Sequence, residues 1–67
     1  MILRVYLKKA RNLKGVTQRE AAEHLGIATV NYQNIEASRS GTSEENWIKL
    51  YEYYDRKIPL QDMMKNV

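Results

Sequence analysis

The chain has 67 residues, no cysteine, one histidine and a formal net charge of +3. At this length we expect one small domain, residues 1–67. Without cysteine neither a disulfide nor a thiolate metal site is possible, so side-chain packing must hold the domain together. No stretch reaches the roughly 20 apolar residues of a membrane span, and residues 1–6 lack the pattern of a signal peptide. A cytoplasmic location and the absence of a bound metal or cofactor are therefore expected.

The positive charge is unevenly distributed along the chain. Residues 1–41 contain seven Lys or Arg against three Glu, whereas residues 42–67 contain four basic against five acidic residues. A basic first part with a near-neutral second part is typical of a module that binds a polyanion and packs or dimerises through its tail. Ordinary solvated charge gives the same distribution, so charge alone leaves both interpretations open.

The first two predicted helices have well-marked ends. Apolar residues spaced by three and four predict a helix over about 3–14, which Gly15 ends in the left-handed conformation. Its inward stripe consists of Leu3, Tyr6, Leu7, Ala10 and Leu13. The run from Thr17 to Glu20 fits a capping box that starts a second helix, and Gly26 ends this helix. Its inward residues are Ala21, Ala22 and Leu25.

The third predicted helix begins at Ala28 or Thr29 and ends near Ala37. Its inward residues are Tyr32 and Ile35, whereas its outer face is polar without being charged. That outer face consists of Thr29, Val30, Gln33, Asn34 and Ala37, of which the first four are the candidate base-reading residues. Two carboxamides on an uncharged face are unusual for a helix that is merely solvated, so this face is a candidate binding surface.

Two further helices complete the prediction. After a loop at residues 38–41, Thr42 or Ser43 caps a fourth helix. Its inward stripe consists of Trp47, Ile48, Leu50, Tyr51 and Tyr54, which are expected in the core or at a dimer surface. Tyr53 is expected to point away from that stripe. Pro59 suits the first turn of a short fifth helix. Its apolar positions are Leu60, Met63 and Met64. The predicted fold is an all-α, compact five-helix bundle.

Two short helices joined through Gly26 and Ile27 describe a helix-turn-helix over about residues 17–37. The third helix would project into a DNA major groove and read base edges through its outer face. The start of the second helix and the loop after the third would contact phosphates. These candidate phosphate contacts are Thr17, Gln18, Arg19, Arg39 and Ser40.

The sequence resembles the phage repressor and Cro-type helix-turn-helix family of DNA-binding regulators. The resemblance lies in the run T-Q-x-E-x-A-x-x-L-G-I-x-x-x-x-Y-x-x-I-E from Thr17 to Glu36. Further matching positions extend it over nearly the whole chain: Leu7, Arg11, Trp47, Leu50 and Ile58. The resemblance implies that the third helix is the recognition helix and that dimers bind palindromic operators. It also implies an ion pair between Arg11 and Glu36.

Three residues depart from the family pattern. Ala21 stands where a larger apolar residue is usual, so we expect a neighbour such as Tyr32 to make that contact. Ala28 stands at the usual Ser or Thr cap of the third helix, which leaves Thr29 or water to satisfy the helix start. Ser38 replaces a common glycine, which leaves the geometry of the following loop open.

The favoured function is a sequence-specific regulator of transcription that binds a double-stranded DNA operator, as a repressor or Cro-like switch protein of a phage or mobile element. Alternatives are the antitoxin of a toxin–antitoxin pair and a protein-interaction module such as an anti-repressor. A homodimer through the C-terminal half is possible. Catalysis is not expected, because His24 lacks an orienting partner and the carboxylates are scattered. The sequence names neither the operator nor the sign of regulation.

Overall fold

The computed structural model describes residues 3–65, and these residues form five α-helices without a strand. The helices are α1 (Val5–Lys14), α2 (Gln18–Leu25), α3 (Thr29–Glu36), α4 (Glu44–Tyr53) and α5 (Leu60–Met64). The all-α, five-helix prediction is confirmed. None of these helices is long and apolar enough to cross a membrane.

Local sequence signals set four of the helix ends. Gly15 and Gly26 end α1 and α2 with φ of 78° and 73°, in the left-handed region that glycine tolerates best. Thr17 and Glu20 form the full capping box, since the Thr17 side chain accepts from the Glu20 amide and the Glu20 side chain accepts from the Thr17 amide. Ser43 is the N-cap of α4, because its hydroxyl accepts from the Asn46 amide.

Some of the predicted boundaries are corrected. Helix α1 begins at Val5 and not at Leu3, and Arg4 at its N-cap makes no side-chain capping bond. Pro59 is the N-cap of α5 and does not lie in its first turn. The fixed φ of proline suits both positions, and the missing N–H is harmless in either. Helix α3, in contrast, begins at Thr29, one of its two predicted starts, and Ala28 before it provides no side-chain cap.

One apolar core holds the five helices together. Its buried members are Leu7, Ala10, Ala21, Ala22, Leu25, Tyr32, Ile35, Trp47, Leu50, Tyr54 and Met63. The expected inward positions Leu13, Ile48 and Met64 are wrong, because these side chains are 52%, 42% and 43% exposed. Each lies on the edge of an amphipathic stripe, and no neighbouring helix covers that edge. Alternation of apolar residues identifies the stripe but not its covered width.

Tyr53 is only partly exposed, in contrast to the expectation that it points away from the core. It packs against the core, and its ring stacks on His24 of α2 with the ring centroids 4.1 Å apart. The Lys14 ammonium lies 5.3 Å from the centre of the same tyrosine ring. Tyr53 therefore joins α4 to the ends of α1 and α2.

Two tyrosine hydroxyls meet inside this core. The Tyr32 and Tyr54 oxygens are 2.6 Å apart and share a hydrogen bond between α3 and the end of α4. Burial raises the pKa of both phenols above the ordinary value, and for Tyr32 the nearby Tyr54 and Glu36 raise it further. Each hydroxyl satisfies the other, so neither is left as a costly unpaired polar group.

This pair makes the fold sensitive to alkali. A phenol whose pKa is higher in the folded chain contributes stability below its unfolded pKa, near 10, and loses it as the pH rises further. We expect Tyr32→Phe to lower the free energy of unfolding by about 1–3 kcal/mol at neutral pH and to weaken the alkaline dependence. Urea unfolding at neutral and alkaline pH measures both. An undiminished alkaline dependence in Tyr32→Phe would contradict this assignment.

Candidate nucleic-acid interface

Helices α2 and α3 form the helix-turn-helix. The amides of Gly26 and Ile27 donate to carbonyls at the end of α2, so the turn is fixed by backbone hydrogen bonds. Ala21 and Ala22 are fully buried on the inner face of α2, where small side chains allow close approach of a neighbouring helix. Tyr32 lies in the same core cluster as Ala21. Helix α2 thus contributes two small residues to this core, and α3 contributes the large Tyr32.

The outer face of α3 is accessible and carries no charge. Val30 is 57% exposed, Gln33 is exposed, and Thr29 and Asn34 are half-buried. The four predicted base-reading residues therefore all reach the surface of one helix. Asn31 is exposed as well, although it is not among the residues predicted to read bases. It precedes Asn34 by three residues, and this spacing is the sequence signal that places the two side chains next to each other.

A buried carboxylate anchors the C-terminal end of α3. Glu36 is only 6% exposed, and its Oε2 lies 2.7 Å from the Nε of Arg11 on α1. Its other oxygen, Oε1, accepts from the Nε2 of Gln18 on α2 at 3.2 Å. Arg11 also donates to the Val16 carbonyl at 3.0 Å. We call this set of Arg11, Gln18 and Glu36 the Glu36 network; it connects α1, α2 and α3.

The electrostatics of the Glu36 network favour the ion pair. Burial alone lowers the pKa of Arg11, but the hydrogen bond and the negative charge of Glu36 outweigh it, so the pKa is raised. Gln18 does more than was predicted for it. One N–H of its side-chain amide is donated to Glu36, so the second N–H of that amide is the side-chain donor left for a phosphate.

The other candidate phosphate contacts lie on the surface around the helix-turn-helix. Thr17 is exposed, although its hydroxyl is engaged in the capping box. Arg19 is exposed and pairs with Glu23 on the same helix at 3.1 Å. Arg39 and Ser40 are exposed in the loop after α3, and Arg39 forms no ion pair with any residue among 3–65. The structure brings all of these to the α2–α3 part of the molecule.

Arg4 is a structural residue that the sequence did not reveal. Its Nη1 donates to the carbonyls of Ile35 and Ser40, each at 2.7 Å, and its guanidinium lies 5.2 Å from the centre of the Trp47 ring. The Arg4 amide also donates to the Glu36 carbonyl at 3.0 Å. Arg4 thereby joins the start of α1 to the end of α3 and to the loop that carries Ser40.

The loop after α3 turns at Ser38, which has a φ of 62°. This is the left-handed conformation that a glycine would adopt with less strain, so Ser38 keeps the backbone shape that a glycine at this place would give. The amides of Arg39 and Ser40 then donate to the Asn34 carbonyl. The departure at Ser38 therefore does not open the loop.

The comparisons agree with this geometry. A family model described as helix-turn-helix matches residues 7–61, which is most of the chain. The chain belongs to this helix-turn-helix family and is a DNA-binding regulator of transcription, a class that is generally non-enzymatic. Searches of curated proteins and of solved structures gave no significant match. Within residues 3–65, no group of three or more acidic, histidine or cysteine side chains is arranged to hold a metal.

The Arg11–Glu36 pair should be energetically coupled. Removing one partner of a buried pair leaves an uncompensated charge, so we expect Arg11→Met and Glu36→Gln each to destabilise the protein by up to about 3–5 kcal/mol. The double variant should lose less than the sum of the two. Urea unfolding of all four proteins measures the coupling.

The exposed pair of Arg19 and Glu23 is the matched control, since both of its side chains are mostly solvated. The same substitutions there should change stability by no more than about 0.5 kcal/mol. Additive losses for Arg11 and Glu36 would show that the two side chains act independently.

Proposed function

We propose that this regulator binds a specific double-stranded DNA operator and reads it with α3. The observation that carries the proposal is the exposed, uncharged polar face of α3. The opposite face of this short helix is buried, and the Glu36 network anchors its C-terminal end. An eight-residue helix is unstable alone in water, so this anchoring is what makes it a rigid reading element.

The side chains on the outer face of α3 suit adenine and thymine. A carboxamide such as Gln33 or Asn34 can donate to the N7 acceptor of adenine and accept from its amino group, and Val30 can contact the thymine methyl. Helix α3 contains no arginine or lysine, which are the usual partners of guanine. The proposed operator is therefore rich in A/T pairs beneath α3.

The role of a repressor or Cro-like switch of a phage or mobile element is the finer part of the proposal, and it is supported by the sequence resemblance. A homodimer through the C-terminal half would place two recognition helices on half-sites about 34 Å apart, one helical turn of DNA. Ile48 and Met64 are apolar and exposed in that half. Sedimentation of the free protein and of its operator complex tests this arrangement.

Base reading by α3 can be tested by substituting its carboxamides. On the site selected from random duplexes, we expect Gln33→Ala or Asn34→Ala to weaken binding by about 1–3 kcal/mol. Binding to random DNA should barely change, because phosphate contacts carry it. Electrophoretic shifts on both duplexes measure the difference. The matched control is Gln61→Ala, an exposed glutamine on α5. Selection of G/C-rich sites that are insensitive to both α3 variants would contradict the proposal.

Phosphate contacts can be tested through the dependence of DNA affinity on salt concentration. Removing a single interaction with a phosphate should flatten the plot of log affinity against log salt by about one unit. We expect this for Arg39→Ala, because its exposed guanidinium lies in the loop beside α3. Lys57→Ala removes the same charge from the exposed segment between α4 and α5 and should leave the slope unchanged. Weaker binding of Arg39→Ala with an unchanged slope would reassign Arg39 to folding or to base contact.

A further inference from the structure

An open groove runs between the start of α1 and the flank of α3. Its walls are lined by Leu3, Arg4, Val5, Lys8, Arg11, Gln18, Gln33, Glu36 and Ala37. The groove therefore adjoins the reading face of α3 at Gln33 and the start of α2 at Gln18. None of the DNA contacts predicted from the sequence lies on the α1 wall of this groove.

The charge of the groove is positive where it is accessible. Both carboxylate oxygens of Glu36 are engaged by Arg11 and Gln18, so this buried acid presents little free negative charge to the groove. The Arg4 guanidinium is occupied by backbone carbonyls. Lys8 is different, because it is exposed and forms no ion pair with any residue among 3–65. Its ammonium is the uncommitted cation on the α1 wall.

We infer that Lys8 contacts a backbone phosphate of the DNA that α3 reads. The inference rests on the proposed function and adds α1 to the interface. A helix with its side chains is about 10–12 Å across, and the major groove is about 12 Å wide. When α3 fills the groove, the two sugar–phosphate strands must lie against whatever flanks α3. On the side of Gln33, the flanking wall is the one that carries Lys8.

The apolar part of the same wall fits this ligand. Val5 is exposed and lines the groove together with Leu3. A DNA strand alternates charged phosphates with the apolar carbons of deoxyribose. A cation beside apolar side chains can therefore contact a phosphate while the apolar side chains contact the neighbouring sugar. An acidic peptide could also bind the Lys8 ammonium. Peptide binding alone, however, would not explain why the groove adjoins the outer face of α3 at Gln33.

The test compares two lysines of the same helix. Lys8→Ala and Lys9→Ala remove the same charge from adjacent exposed positions of α1, but only Lys8 lines the groove. The affinity of each full-length protein for its selected duplex is measured over a range of salt concentrations, and thermal unfolding checks that both variants fold. We expect Lys8→Ala to reduce the salt slope by about one unit, Lys8→Arg to retain it, and Lys9→Ala to match the wild type.

Three results would overturn the inference. Equal flattening by both alanine variants would mean that only the overall charge matters. A wild-type slope in Lys8→Ala would mean that the groove faces something other than the duplex, such as an acidic peptide. If the wild-type protein bound no duplex at any salt concentration, the proposed function would itself fail, which this series distinguishes from a failure at Lys8 alone.

Discussion

The orientation of α3 depends on one buried carboxylate. Glu36 ends α3 inside the molecule, where an unpaired charge would cost several kcal/mol. Arg11 supplies the opposite charge from α1, and Gln18 supplies a hydrogen bond from α2. Each oxygen of the carboxylate is therefore satisfied by a different helix. Such a pair adds little net stability compared with an apolar contact. Its hydrogen bonds require the side chains of α1, α2 and α3 to meet at one point, so they favour the arrangement in which α3 projects as it does here.

A second connection acts at the same end of α3. Arg4 holds the Ile35 and Ser40 carbonyls with one guanidinium nitrogen and lies against the ring of Trp47. The start of α3 has no comparable anchor, since Ala28 offers no side-chain cap. Helix α3 is thus fixed mainly at its C-terminal end and by its buried face. Its N-terminal turn, with the exposed Val30, has no side-chain cap.

Local chemistry explains which features were predictable from the sequence. Gly15, Gly26 and the Thr17 capping box act within one helical turn, so a single sequence reveals them. Leu13 was misplaced because its exposure depends on whether another helix covers that edge of α1. The role of Arg4 could not be predicted, because its partners are backbone carbonyls 31 and 36 residues away. Every residue has such a carbonyl, so the pattern of side chains does not identify the partners. Most of the predicted surface residues reached the surface, whereas the engagement of Gln18 by Glu36 could not be foreseen.

The placement of charge gives a reason why the outer face of α3, the proposed reading surface, is neutral. A cation on α3 could contact guanine, but it would also be attracted to the phosphates of any sequence. Carboxamides bind through directed hydrogen bonds, which are lost on the wrong base. The proposed phosphate contacts, Lys8 and Arg39, lie beside α3 instead of on it. Affinity and selectivity are then carried by different residues, so substitutions can change either one separately.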